Sequence, residues 1–229
     1  MMKFPKLPAL FRRRKNYKKE SYSQEGEDVL LAEMLDMRRK GSGFYVDVGA
    51  HHPLRFSNTA LFHKHGWRGI NIDATPDSMK NFARSRPHDI NLELAVSEDE
   101  GVRKMYLYNE PALNGIDCDR TVELANSSCR LLEIRDVPTA ALRTILAKHA
   151  PTLPSPNFLT IDVEGHEMEV LKSNDWKKFR FEYLLVEVRS GDLAELLRSE
   201  TTQFLKTLDY QAVAFTGRTA FYKARPSRP

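Results

Sequence analysis

The chain contains no Gly-x-Gly-x-x-Gly and no Gly-x-x-x-x-Gly-Lys-Ser/Thr. The first absence removes the usual cradle for a dinucleotide pyrophosphate, and the second removes that for a nucleoside triphosphate. Cysteine is scarce. Cys118 and Cys129 are the only two, and they sit in a polar segment without a Cys-x-x-Cys pattern. They read as reduced thiols of a cytoplasmic protein, not as a disulfide framework or a metal site. No apolar run approaches the roughly 20 residues of a membrane span. Internal repeats are missing, and no secretory signal with a continuous apolar core and small-residue cleavage site opens the chain.

What is present is a chain of 229 residues, 41% of them apolar. That suffices for one α/β domain with additions. The net charge of +4 is unevenly placed. Residues 1–20 carry eight basic residues against Glu20 alone, a net of +7, and the remainder is 27 basic against 30 acidic, a net of −3. The body is therefore not basic, and no nucleic-acid partner is assigned. The leader also carries Phe4, Leu7, Leu10 and Phe11. Its simplest reading is a flexible, solvated segment. The same mix of charge and apolar side chains suits peripheral contact with an anionic membrane surface at its inner face.

Residues 21–223 read as the domain and 224–229 as a tail. Apolar residues at Val29, Leu30, Leu31, Met34 and Leu35 have helical spacing, with Ser23 as an N-cap. Strands are expected at about 44–48, 68–73, 90–96, 158–162 and 181–188, with further strand character at 102–107 and 131–137. Helices fall between them: a short one after Ser57 that Gly66 ends, one from Pro76 to Arg86, one opening at Pro138, one at 165–171 and one at 191–207. Residues 109–130 read as an insert or lid. Residues 210–215 and 219–223 form a terminal hairpin, expected to leave one antiparallel strand at the sheet edge. Strands alternating with helices predict a mostly parallel sheet.

Chemistry concentrates at strand ends. Phe44-Tyr45-Val46-Asp47-Val48-Gly49-Ala50 is an apolar run ending in an acid, a glycine and a small residue, followed by His51, His52 and Pro53. A glycine there lets backbone approach a ligand where a Cβ would clash. Asp73 ends the next strand, about 20 residues on, where Rossmann-type folds place a ribose-binding carboxylate. Both acids could instead be ordinary strand-end residues; their spacing around Gly49 argues against that. Asp162 ends the fourth strand and Glu187 the fifth, and strands one and four flank the switch point of a doubly wound sheet. Glu164, Glu167 and Glu169 also suit a helix N-terminus, and Glu187 suits either the cleft or a structural pair.

These residues carry a resemblance. Ser23 to Asp28, Phe44 to Pro53, Ser57-Asn58-Thr59, Gly66-Trp67, Asp73, Asp162-Val163-Glu164-Gly165-His166-Glu167 and Leu171 resemble the FkbM family of S-adenosylmethionine-dependent methyltransferases over about residues 21–190. The resemblance implies a class I, Rossmann-like methyltransferase fold: a doubly wound, mostly parallel seven-stranded sheet with a reversed terminal strand. It implies S-adenosylmethionine as cofactor, with Asp47, Gly49 and Ala50 at its methionine end and Asp73 on the ribose. Ala95, Val96 and Ser97 then lie by the adenine, and Asp162 lies in the same cleft. It implies O-methylation of a carbohydrate, glycolipid or related hydroxyl. Such a hydroxyl needs a base, for which Asp162, His51 and His52 are the candidates, with His166 behind them. Asn58, Glu164, His166 and Glu187 are assigned to the acceptor side. No metal is assigned, although Asp162, Glu187 and a histidine are chemically able to bind one. Two other readings stand beside this one: a nicotinamide oxidoreductase, disfavoured by the missing glycines, and a non-catalytic scaffold that kept the fold.

Overall fold

The computed structural model describes residues 18–116, 127–149, 157–188 and 190–226. Most of the leader, Cys118, the middle of the 109–130 insert and the last three residues of the tail lie outside them. In chain order the elements are α1 (Glu27–Met34), α2 (Met37–Lys40), β1 (Phe44–Val48), α3 (Ala60–Lys64), β2 (Arg68–Asp73), α4 (Met79–Ser85), β3 (Ile90–Glu93), β4 (Ala95–Val96) and β5 (Gly101–Tyr108). They continue with β6 (Gly115–Ile116), β7 (Leu131–Ala140), α5 (Leu142–His149), β8 (Phe158–Ile161), α6 (Glu167–Lys172), β9 (Tyr183–Glu187), α7 (Leu193–Arg198), α8 (Glu200–Thr207), β10 (Tyr210–Phe215) and β11 (Thr219–Ala224).

The main sheet has seven strands in the order β10-β11-β9-β8-β1-β2-β3 and is mixed. The pairs β1–β2, β2–β3, β1–β8 and β8–β9 are parallel. β11 is antiparallel to both β9 and β10. The antiparallel strand is therefore one in from the edge, not at it as expected: the hairpin inserts its second arm against β9 and leaves β10 outermost.

Both faces of this sheet are covered, which explains its nearly continuous apolar strands. Alternate residues point to opposite faces. Val46, Val48, Ile70, Ile72, Leu159, Ile161, Leu184 and Val186 meet Leu142, Ile145 and Leu146 of α5, Val170 and Leu171 of α6, and Leu205 of α8. Tyr45, Phe158, Leu185 and Phe221 meet Leu31 of α1, Phe62 of α3 and Trp67 on the other side. Glycine is required beside Tyr45 within the sheet: the two are partners in the β1–β2 register, and a Cβ on Gly69 would lie 2.1 Å from the Tyr45 ring.

A second, four-stranded sheet in the order β4-β7-β5-β6 stands against the strand ends. It changes two expected boundaries. The strand foreseen at 90–96 divides, β3 pairing with β2 and β4 crossing to pair with β7. β7 runs through Pro138 to Ala140, so the helix expected to open at Pro138 begins at Leu142 instead. Pro138 is tolerated because it lies opposite Val102, one residue before pairing to β4 starts at Thr139. The helix expected at 191–207 is broken at Ser199, whose extended backbone ends α7 and whose hydroxyl accepts from Thr202 N (3.2 Å) to cap α8. Gly26, not Ser23, holds the N-cap position of α1, although the Ser23 hydroxyl accepts from Asp28 N (3.3 Å) and donates to Asp28 Oδ1 (2.9 Å).

Candidate active site

The carboxyl ends of β1, β2, β8 and β9 meet at one point. Gly49 follows β1 with φ +82°, and a Cβ there would sit 1.6 Å from the Asp162 carbonyl oxygen. Only glycine fits that approach. The N–H groups of Gly49 and Ala50 both donate to Ile72 O (2.9 and 3.0 Å), tying the turn to β2. His51, in the left-handed region at φ 51°, donates its N–H to Asp73 Oδ2 (2.8 Å), and Thr75 N donates to Asp73 Oδ1 (2.8 Å). Backbone thus fixes both oxygens of Asp73, and their remaining lone pairs stay available. Across the sheet the register Ile161↔Val186 sets Asp162 beside Glu187.

Above these ends lies a cleft with about 1110 Å³ of open space, part of it continuous with solvent. The wall includes Gly49, His51, Asp73, Ala95, Val96, Ser97, Asp162, Glu164, His166 and Glu187, all assigned from the sequence. Four other assigned residues do not line it. Asp47 shares the inward parity of Tyr45, and its carboxylate accepts from Thr59 Oγ1 (2.6 Å) behind the sheet. Burial there pushes it up to about 6, although Thr59 and Arg86 pull the other way. Ala50 packs on Met79 and Phe82. The His52 ring turns back into its own loop, where Nδ1 accepts from Leu54 N (3.1 Å) and Arg55 N (3.0 Å). Asn58 donates to Thr160 Oγ1 (3.0 Å). These four support the site from behind instead of touching its contents.

The structure adds wall residues that the sequence did not assign to the cleft: Gln24, Phe56, Arg103, Met105, Glu169 and Arg218; residues 111–116 of the expected insert line it as well. Asn114 holds that cover down, donating to Thr75 Oγ1 (3.3 Å) and accepting from Tyr108 N (2.8 Å). Arg55 bridges the His51 ring (Nη1 to Nε2, 3.3 Å) and Glu110 Oε1 (3.1 Å), so it joins the β1 turn to the same cover. No pattern of spacing announces such pairs, which span 39 and 55 positions.

One wall is polar and cross-braced. Arg103 of β5 grips Glu169 of α6 with two bonds (2.9 and 2.6 Å), Ser97 Oγ donates to the same carboxylate (2.7 Å), and His166 Nδ1 lies 3.2 Å from it. Glu169 is thereby held below the usual range despite opposing desolvation, with Ser97 and Arg103 the chief causes. Glu167 accepts from Val163 N (3.1 Å) and Gly165 N (3.0 Å), closing the turn before α6. The helix-terminus role read for these acids holds for Glu167, whereas Glu169 is a brace between the sheets.

The other wall is acidic. Asp162 opens to the cleft but has protein on nearly every other side. That desolvation pushes its carboxyl well above the usual range, and Glu187, Glu164 and Glu167 add to the rise. Carboxylate oxygens of Asp162, Glu167 and Glu187 lie within 4.8 Å of one another, close enough to repel one another or to hold a cation between them. His51 is held below its ordinary value, mainly by burial, with Asp73 opposing. At neutral pH its ring is therefore mostly uncharged, with Nε2 facing the Arg55 guanidinium.

A seven-stranded mixed sheet with a cleft over its strand ends has the architecture of a methyltransferase. The chain belongs to the FkbM methyltransferase family: the family model described as Methyltransferase FkbM domain matches residues 47–212. That match sets aside the oxidoreductase alternative. A search of curated proteins found no match.

Proposed function

We propose that the protein is an S-adenosylmethionine-dependent O-methyltransferase acting on a hydroxyl of a carbohydrate, glycolipid or related natural product. The observation that carries the reading is Asp73, a strand-end carboxylate on the cleft wall with both oxygens pre-set by backbone donors. Such a carboxylate suits vicinal ribose hydroxyls. Ala95, Val96, Met105, Leu113 and Ile116 form an apolar stretch of the wall suited to a flat base, and Ser97 follows Val96 on the same wall. The Gly49 turn leaves room for close backbone approach toward Asp162. The methionine-end role expected of Asp47 and Ala50 passes to Gly49, because the other two side chains point away.

When bound, the cofactor supplies an activated methyl group on a sulfonium. The protein's work is then to align the acceptor and to receive its proton. Asp162 is the favoured proton acceptor. It opens into the cleft, and burial, with the carboxylate beside it, keeps its basicity above that of an ordinary aspartate. His51, mostly neutral, is the second candidate on the same wall, whereas His52 drops out because its ring caps its own loop. Glu164, Glu187 and His166 remain for acceptor hydroxyls. Isothermal titration of the full chain with S-adenosylmethionine tests the reading. Binding is expected for the wild type and a loss of at least tenfold for Asp73→Ala; a wild-type chain that takes up no cofactor would sink it.

A further inference from the structure

We propose that the cleft mouth docks against an anionic lipid surface, which the basic leader holds in place, so that the methyl acceptor is presented from a membrane. The inference rests on the methyltransferase reading for what the cleft does, but not for the docking itself.

Three observations place the surface. The described chain starts at Lys18, Lys19 and Glu20, all exposed, and reaches Gln24, an exposed residue on the cleft wall. Four residues span at most about 14 Å, so the charged leader joins the body beside the mouth. The connecting segment is fixed: Tyr22 O accepts from Ser57 N (2.9 Å), and Ser21, Tyr22 and Ser23 all donate to the buried Asp28. The leader's point of attachment is thus rigid relative to the 51–57 loop.

That loop presents apolar side chains at the same place. Leu54 is 47% exposed and Phe56 41% exposed, and Phe56 is also part of the cleft wall. Phe56 sits in the left-handed region at φ 57°, an uncommon state for an aromatic residue. Arg55 lies between them, with its guanidinium 4.3 Å over the Phe56 ring. Two apolar tips beside a basic leader with four apolar residues of its own match an interfacial contact.

Charge fixes the orientation. Residues 1–20 have a net of +7 and the rest a net of −3. An anionic surface attracts the first and repels the second. The attractive part is anchored at one point, so the side of the body that carries that point is turned to the surface. The cleft mouth beside that point then faces an acceptor held in the lipid plane, while the acidic groups stay inside the cleft.

The test uses the full chain and vesicles of phosphatidylcholine with or without phosphatidylserine. Co-sedimentation is expected only with phosphatidylserine, to weaken at least tenfold in high salt, and to be lost when residues 1–20 are deleted. Leu54→Trp in the full chain reads the orientation: its fluorescence should be quenched by brominated acyl chains, while a tryptophan replacing the exposed Leu132 of β7 should not. Binding that survives the deletion would overturn the proposal. So would Leu54→Trp that stays bright on sedimented vesicles, or a chain that prefers single-stranded RNA to the vesicles. Cofactor titration is run separately. Vesicle binding without cofactor uptake keeps the docking surface and removes the methyltransferase reading of the cleft, and the reverse result removes docking alone.

Discussion

Arg86 offers the sharpest test of how the site is supported. It is 1% exposed, and its guanidinium donates to Thr59 Oγ1 (2.8 Å), Asn71 Oδ1 (3.1 Å), Tyr45 Oη (3.3 Å), Pro53 O (2.6 Å) and Ser57 Oγ (3.0 Å). Two of these acceptors belong to the loop that carries His51 and Phe56. Arg86→Met keeps the length of the side chain but removes every donor and the positive charge near Asp47. Breaking such a buried arrangement costs about 3–5 kcal/mol, because acceptors and negative charge are left without compensation. Against a typical total of about 5–15 kcal/mol the loss is large. For a chain of this size it lowers the melting temperature by roughly 6–20 °C. Urea denaturation followed by circular dichroism measures it, with a lower midpoint at unchanged slope as the expected result. Arg86→Lys, with three donors on a compact ammonium, should recover only part of the loss. Arg86→Met combined with Asp47→Asn should cost less than the sum of the two by about 1 kcal/mol or more. An Arg86→Met loss below about 1 kcal/mol, the scale of an exposed pair, would refute the assignment of Arg86 as the pin of this loop.

Gly49→Ala must accommodate both a left-handed backbone and a Cβ 1.6 Å from the Asp162 carbonyl; the expected result is a stability loss of about 2 kcal/mol or more with cofactor titration abolished, and unchanged values in both would show that the turn is not tight. Asp47 keeps its proton up to about pH 6 when folded but only to about 3.8 when unfolded, so the folded state binds more protons in that window and stability falls as pH rises through it. Asp47→Asn should remove that slope, seen as a difference in urea midpoints between about pH 4 and 6; parallel curves for the two proteins would contradict the buried charge. Asp162→Asn should lower turnover by roughly 10²–10⁴ while leaving cofactor affinity within a few-fold. The wild-type rate should rise with pH through a carboxyl titration lying above the ordinary aspartate range, and a flat profile with an active Asn variant would transfer the base role to His51.

The strand framework was readable because parallel strands covered on both faces are apolar at most positions; the runs 44–48, 69–72 and 158–161 are interrupted only by Asp47, Asn71 and Thr160, which lie opposite one another in the register. Their terminal acids were equally visible, since a carboxylate ending such a run is costly unless it faces a cleft or a partner. Asp47 was misplaced for a reason of parity: one residue inside the strand end, it shares the face of Tyr45 and cannot reach over the edge. His52 and Asn58 sit in loops whose side-chain directions depend on distant partners, such as Thr160 for Asn58, 102 positions away. The second sheet escaped notice because β4 is two residues long and is defined only by β7, which lies 44 positions on in the register. The cross-brace of Arg103 and Glu169 is likewise a product of assembled geometry, with no local spacing to betray it.

The split of one expected strand into β3 and β4 puts a seam inside the cleft. The chain crosses it at Leu94, and Arg103, Glu169 and Ser97 stitch its two sides. Any ligand that packs on Ala95 and Val96 while bonding to Asp73 spans that seam and behaves as one more stitch. Ligand at a hundred times its dissociation constant adds about 2.7 kcal/mol to the folded state. Much of that increment acts on the junction between two sheets that otherwise share few strand contacts, since β2 and β4 touch only lightly. The smaller sheet is then least firmly attached when the cleft is empty, so the amides of β4, β5 and β7 report occupancy through hydrogen exchange even though most of them never touch the ligand.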